Sequence, residues 1–339
     1  MNNTIGWGFI GASTIAREHM VAAVRAQIGH EVVAVASSSM ERAIAFSQEL
    51  QIARPYDSVQ ALLADPNVKA IYISTTNDLH CEQLMAAASA GKHVLCEKPL
   101  ALSLTDGQRM VAACRNAGVV MATNHHLRNA ATHRKLRKLV QSGAVGQPLF
   151  ARVFHAVYLR PVVQRWRIDK PQAGGGAILD IVVHDADALR FIFGANPIEA
   201  IGMSQTGFLA REGLEDGAMA VLRLDNGVLA QIHAAFTVRH AGTGMEIHGD
   251  TGSIVARDVM SQRAVGEIVL RDEHGERLIP VEHENLYARG VASFCAAMRG
   301  EGSPAASGED GVHSLAAALA VVEACRTRTA VKIHPGLPM

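Results

Sequence analysis

Ile5-Gly6-Trp7-Gly8-Phe9-Ile10 runs directly into Gly11-Ala12-Ser13-Thr14-Ile15-Ala16, and a helix-like stretch follows. A short buried strand that ends in glycine and opens a helix is the start of a dinucleotide-binding unit. Against the pattern G-x-G-x-x-G/A, Gly11 and Ala16 hold the first and last places, and Ser13 stands where the second glycine is usual. Glycine there lets backbone approach a pyrophosphate. Serine fits if its hydroxyl bonds a phosphate oxygen at the helix N-terminus. The competing reading is a tight strand-to-helix turn that holds no ligand.

Outward from this stretch, short β-branched runs alternate with alanine-rich amphipathic segments. The runs are Glu31 to Ala36, Ala70 to Ser74, His93 to Cys96 and Val119 to Thr123. Such alternation predicts βαβ units and a doubly wound parallel sheet, whose strands are apolar on both faces. After about residue 148 longer strand-like runs appear, at Phe150 to Tyr158, Ala218 to Leu224 and Val228 to Phe236. Asp225-Asn226-Gly227 between the last two predicts a hairpin with a type I′ turn. The expected architecture is α/β: a Rossmann domain over residues 1–124, and an α+β domain with a mostly antiparallel open sheet over residues 125–339. No long linker separates the halves, so they are expected to share a cleft.

Composition narrows the function classes. In 339 residues 32 basic side chains balance 32 acidic ones, and 49% of the chain is hydrophobic. This length predicts two domains and excludes a single small binding module. Zero net charge without basic runs argues against nucleic acid as the main partner. Apolar runs are too short to span a bilayer, and the polar start lacks a basic n-region, so a cytoplasmic location without membrane association is expected. Cys81, Cys96, Cys114, Cys295 and Cys325 are widely spaced, as reduced thiols would be. Oligomeric state is left open.

Ligands of doubly wound sheets lie beyond the carboxyl ends of the strands. NAD binders usually end the second strand in Asp or Glu, which holds the ribose hydroxyls. Here it ends in Ser37-Ser38-Ser39, with Arg42 following. A hydroxyl and a guanidinium suit a 2′-phosphate that a carboxylate would repel, which predicts NADPH; the alternative is a polar loop opening a helix. The next strand ends carry Ser74-Thr75-Thr76-Asn77 with His80, then Glu97-Lys98-Pro99, then Asn124-His125-His126. Lys98 is either a solvated turn residue or an ammonium aimed at a carbonyl oxygen. His125 and His126 point to opposite faces if they lie on a strand, so at most one could serve a given site; no metal is expected. Gly174-Gly175-Gly176 precedes a helix with Asp180, His184 and Asp187 at i, i+4 and i+7. That stripe is either solvated or a histidine acid with a carboxylate neighbour, and the glycines would fold over a ligand or be mobile.

Together these residues resemble the glucose-fructose oxidoreductase and inositol dehydrogenase family of NAD(P)-dependent sugar dehydrogenases. Three features carry the resemblance: the strand-one glycine turn, the segment Gly91-Lys92-His93-Val94-Leu95-Cys96-Glu97-Lys98-Pro99-Leu100, and Asp180-x-x-x-His184 after a glycine-rich loop. Within the family, residues 11–16, 123–129, 152–158 and 178–187 are most similar to a sugar-ketone reductase that uses NADPH. The resemblance implies that Lys98 and His184 contact the carbonyl, that His184 or Lys98 donates the proton, and that Asp180 positions sugar hydroxyls and the histidine. It implies Ser13, Thr14 and Ile15 at the pyrophosphate, Thr75, Thr76, Asn77 and His80 at the middle of the dinucleotide, and Glu97, Lys98 and Asn124 at the nicotinamide. Trp166, Arg167 and Tyr287 are further implied cofactor contacts, His155 and Tyr158 implied substrate contacts, and a cis bond is implied at Lys98-Pro99. Rival readings are turnover of another sugar or of inositol, a nucleotide-sensing binding protein, and a metal phosphohydrolase suggested by His184-Asp185.

Overall fold

The computed structural model describes residues 4–336. Residues 4–125 and Tyr287–Val312 gather into one compact unit, His126–Leu286 and His313–Gly336 into another.

The first unit is built on a parallel sheet of β1 (Ile5–Ile10), β2 (His30–Ala36), β3 (Arg54–Tyr56), β4 (Val68–Ile73), β5 (His93–Cys96) and β6 (Met121–Thr123), in the order β3-β2-β1-β4-β5-β6. The chain reverses its direction of travel across the sheet between β1 and β4, the switch point at which doubly wound sheets bind ligands. Trp7, Phe9, Val35, Ile71 and Tyr72 are fully buried. Phe9 and Tyr72 pack with ring centroids 5.0 Å apart. Three helices, Met40–Leu50, Val59–Ala64 and Leu104–Ala117, begin on serine caps: Ser39, Ser58 and Ser103 each accept a backbone N–H three residues on. Serine suits the place because its hydroxyl satisfies a donor that the first helical turn leaves without a carbonyl.

Beside the expected 124/125 division, a later segment, Tyr287–Val312, returns to the first unit. The helix Leu286–Met298 brings Phe294 to within 5.4 Å of the Trp7 ring, and Cys295 to His30. Trp7 packs on Phe294 and donates its Nε1–H to His30 Nδ1 at 3.1 Å.

The second unit is built on nine strands: β7 (Pro148–Ala156), β8 (Pro197–Thr206), β9 (Glu215–Leu224), β10 (Leu229–Ala235), β11 (Gly244–Gly249), β12 (Gly252–Arg257), β13 (Glu267–Asp272), β14 (Gly275–Ile279) and β15 (Val331–Lys332). Their order is β14-β13-β12-β11-β7-β10-β9-β8-β15, antiparallel except for β7 with β10. Strict alternation along β9 buries Ala220, Leu222 and Leu224 and exposes Met219, Val221 and Arg223. Ile201 and Met203 of β8 pair with Val221 and Met219 on the exposed face. The segment Ile178–Val182 packs against β9 and β10.

The β9–β10 hairpin differs from the type I′ expectation. Only Gly227 (φ +91°) has positive φ there, and its N–H bonds the Leu224 carbonyl at 3.0 Å. Asp225 and Asn226 keep negative φ, so the connection is a type I turn followed by a glycine bulge. All five cysteines are free thiols. Among the described residues no helix is long and apolar enough to cross a membrane.

Candidate active site

In the first unit the strand ends are drawn together by main chain. Gly11 has φ +111°, and a Cβ there would stand 2.9 Å from the carbonyl carbon and oxygen of Ser74. Only glycine permits this approach of the β1 and β4 ends. Ser13 Oγ lies 2.8 Å from Ser74 Oγ and accepts the Ala16 N–H at 3.2 Å, so the hydroxyl ties the turn together. The helix then starts as a π-turn, Ala16–Met20. At the end of β2, Ser37 donates its N–H to Tyr56, Ser39 caps the helix, and Arg42 is exposed. Thr75 Oγ1 donates to Gln83 Oε1 at 2.7 Å, and Asn77 is buried.

His80 is fully buried and lies beneath the Lys98–Pro99 turn, which is cis as the resemblance implied. Its Nδ1 lies 3.0 Å from the Pro99 carbonyl. A carbonyl can only accept, so Nδ1 carries the proton, and burial pushes the ring's pKa down to about 4. Beside it, Glu97 Oε1 accepts from Tyr72 Oη and from Asn124 Nδ2, both at 2.6 Å. Burial holds the Glu97 carboxyl above the usual carboxylate range. Tyr287 is buried and stacked on His19, with centroids 4.5 Å apart. The structure thus brings Glu97 and Asn124 together, with Lys98 adjoining in the chain, and supplies Tyr72, which sequence reasoning missed because it reads as an ordinary strand residue.

In the second unit the helix Val183–Phe193 follows directly on a π-turn, Ile178–Val182. Of the three polar groups read as a stripe, Asp180 lies in the π-turn, while His184 and Asp187 lie on the helix. Asp180 pairs with Arg167 (Nε to Oδ2 3.4 Å), whose guanidinium lies 4.4 Å from the Trp166 ring centroid. Asp187, 1% exposed, is gripped by Arg128 through Nε at 2.8 Å and a terminal nitrogen at 2.7 Å. It is a structural ion pair. His184 is buried, with the His126 ring edge-on at 4.8 Å and the His155 ring at 6.2 Å. His155 Nδ1 lies 2.7 Å from Oδ1 of the fully buried Asp185. Burial raises the Asp185 carboxyl, and His155 pulls it back. Tyr158 lies beyond the end of β7, bridged to Thr237, with the Arg239 guanidinium 3.5 Å from its ring centroid.

Sequence reasoning missed Asp185 and the place of His126. The available signal was a charged residue next to His184 on a helix otherwise rich in Val, Ala and Leu. His125 falls in the first unit and His126 in the second. Among the described residues no group of three or more His, Cys, Asp and Glu side chains is gathered as a metal site.

Gly11, pressed against Ser74 backbone at the switch point, lets the β1 and β4 ends close on each other there, the place where doubly wound sheets take their ligands. This arrangement fits a nicotinamide dinucleotide.

Comparisons with known proteins agree with this geometry. Residues 5–125 match the oxidoreductase family with an NAD-binding Rossmann fold, and residues 133–255 match the GFO/IDH/MocA C-terminal domain. The chain is 53% identical over 331 residues to a 1,5-anhydro-D-fructose reductase of Ensifer adhaerens, covering 98% of this chain and 99% of the relative. It is 28% identical to a myo-inositol 2-dehydrogenase of Thermotoga maritima, over 89% of this chain and 90% of that one. Its fold is shared with the aldose-aldose oxidoreductase of Caulobacter crescentus crystallised with glycerol (TM-score 0.89, 23% identity, 97% and 100% covered). It is shared also with a levoglucosan dehydrogenase in complex with NADH and levoglucosan (TM-score 0.88, 23% identity, 97% and 99% covered). With both halves matched and a relative of this identity along nearly its whole length, the chain belongs to the GFO/IDH/MocA family of oxidoreductases.

Proposed function

We propose that the protein reduces the ketone of 1,5-anhydro-D-fructose to 1,5-anhydro-D-mannitol with NADPH. The observation that carries this reading is the setting of His184: a buried imidazole on the helix that follows directly on the π-turn bearing Asp180, in a chain 53% identical to a reductase of that sugar.

In the first unit, residues 11–15, Ser37, Arg42, Thr75, Thr76 and Asn77 would hold the dinucleotide, with Glu97 and Asn124 at its nicotinamide end. His80 and Tyr287, both buried, would support that surface from beneath. NADPH, when bound, supplies hydride to the ketone carbon. His184 gives a proton to the ketone oxygen, and the Lys98 ammonium stabilises the charge that develops on it. Asp180, held by Arg167, orients sugar hydroxyls, with His155 and Tyr158 as further sugar contacts and Trp166 and Arg167 reaching the cofactor. Glu97, braced by Tyr72 and Asn124, fixes the start of the turn that carries Lys98.

The test is initial-rate NADPH oxidation with 1,5-anhydro-D-fructose beside glucose, fructose and inositol, repeated with NADH. Fast turnover confined to the anhydro sugar with NADPH is expected. Turnover of inositol instead would return the substrate to the wider family, where the 28% identical dehydrogenase lies. His184→Ala should leave NADPH binding intact and lower kcat on the order of 10²- to 10⁴-fold; near-normal turnover would sink its assignment as the acid. Ser37→Asp should weaken NADPH selectively, and an unchanged preference would refute the 2′-phosphate argument.

A further inference from the structure

Strand β9 opens with two adjacent carboxylates that serve two different segments. Asp216 is fully buried, and its Oδ2 accepts the N–H groups of Phe208, Leu209 and Ala210 at 2.8, 2.7 and 3.1 Å. The loop so pinned donates the Arg211 N–H to the Ile168 carbonyl at 2.7 Å, next to Trp166 and Arg167. Glu215, one residue earlier, points its Oε1 at the Ile178 N–H, 2.8 Å away. That N–H belongs to the first turn of the segment bearing Asp180, where no helical carbonyl is available to it.

The glycine run is shaped by the same contact. A Cβ on Gly176 would lie 2.4 Å from Glu215 Oε1, and one on Gly175 would lie 2.7 Å from Leu214 Cδ1 and 2.8 Å from the Trp166 carbonyl. Gly176 (φ +104°) donates its N–H to Arg167 at 2.8 Å and accepts that of Asp180 at 3.3 Å. Arg167 returns to Asp180 through its guanidinium. The glycines are therefore the flat side of a fitted joint, pressed against Leu214 and Glu215, where the sequence left open a loop that folds over a ligand or one that is mobile. Asp180 sits two residues past the atom that Glu215 holds, and His184 six.

We infer that Glu215 is a positioning residue for the reaction: by capping Ile178 against Gly176 it sets the register at which Asp180 and His184 are presented. The inference rests on the proposed roles of those two residues. What matters is reach, since an acceptor one methylene shorter cannot close on Ile178, while an amide of equal length can. An ångström of misplacement in such a group costs up to about 10²-fold in rate.

The experiment compares wild type, Glu215→Asp, Glu215→Gln and His184→Ala in steady-state reduction of 1,5-anhydro-D-fructose, with NADPH affinity from its fluorescence. It adds the ¹H–¹⁵N imidazole spectrum of His184, which requires no turnover. Glu215→Asp is expected to lower kcat roughly 10- to 100-fold, with KM and NADPH affinity within about threefold and the His184 resonances displaced. Glu215→Gln is expected to stay within about threefold of wild type in kcat with those resonances in place. A role confined to stability would lower Tm and leave kcat per folded molecule and the His184 spectrum unchanged, which would overturn the inference. So would an equal loss in the Gln and Asp variants. Normal turnover by His184→Ala would instead remove the reading beneath it, whereas an inactive His184→Ala beside a fully active Glu215→Asp would remove the positioning role alone.

Discussion

The Arg128–Asp187 pair joins the turn His126–Asn129 to the helix that carries His184, and replacing Arg128 by Met isolates what it contributes. The two side chains are 8% and 1% exposed. The guanidinium lies 5.6 Å from the Phe191 ring centroid, and Arg190 stands 3.9 Å from the same carboxylate. Removing one partner of a buried pair leaves the other charge unbalanced, at a cost of about 3–5 kcal/mol. Arg190 can move partly into the gap, so the loss belongs at the lower end, about 3 kcal/mol. At 2–4 °C per kcal/mol for a unit of this size, the second unit's melting transition should fall by roughly 10 °C. Urea unfolding followed by circular dichroism measures the first quantity and calorimetry the second. The double variant Arg128→Met, Asp187→Leu should recover part of the loss, because the buried carboxylate goes with its partner while Arg190 keeps its bond to Asn196 at 2.9 Å. A single-variant loss below about 1 kcal/mol, or a double variant no better than the single, would refute the reasoning. As His126 leaves the edge of the His184 ring, kcat should fall with the stability.

Stability should also decline in mild acid. His80 and His133 are both fully buried, and burial pushes each pKa from 6.5 down to about 4. The unfolded chain takes up these protons as pH falls below about 6.5 and the folded chain resists until about 4, so stability present at neutral pH is lost across that window, on the order of 3 kcal/mol per ring. His133→Gln should flatten a urea-midpoint titration there; an unchanged slope counts against a neutral buried ring. Phe294→Ala should destabilise the first unit by about 3–5 kcal/mol, read from the urea midpoint of that unit, and a loss confined to the second unit would contradict the packing on Trp7. Tyr72→Phe takes one donor from Glu97 and should cost about 1–3 kcal/mol with a weaker NADPH affinity; unchanged affinity would separate Glu97 from the cofactor surface.

The parallel sheet was legible because strands buried on both faces leave continuous apolar runs and glycine marks the first turn; only Arg54-Pro55-Tyr56, which has no apolar run, did not stand out. Lys98, Asp180 and His184 were singled out because strand ends and a glycine run flag them. Their neighbours were not, and the reason is geometric. Periodicity places residues along a helix but does not say what each will meet: Asp187 is locked to Arg128, and Asp185 holds His155. Glu215 lies 37 residues from the N–H it holds, a separation over which periodicity carries no information.

The contact of Trp7 with Phe294 also sets an order of events during synthesis. A ribosome delivers β1 first, yet the ring meant to cover Trp7 arrives 287 residues later, counting from 7 to 294. Until then a nascent chain presents a bare indole beside a sheet already able to pair. Domains made early in a chain usually fold as they emerge; here this one waits for a segment that lies beyond β14 of the second sheet.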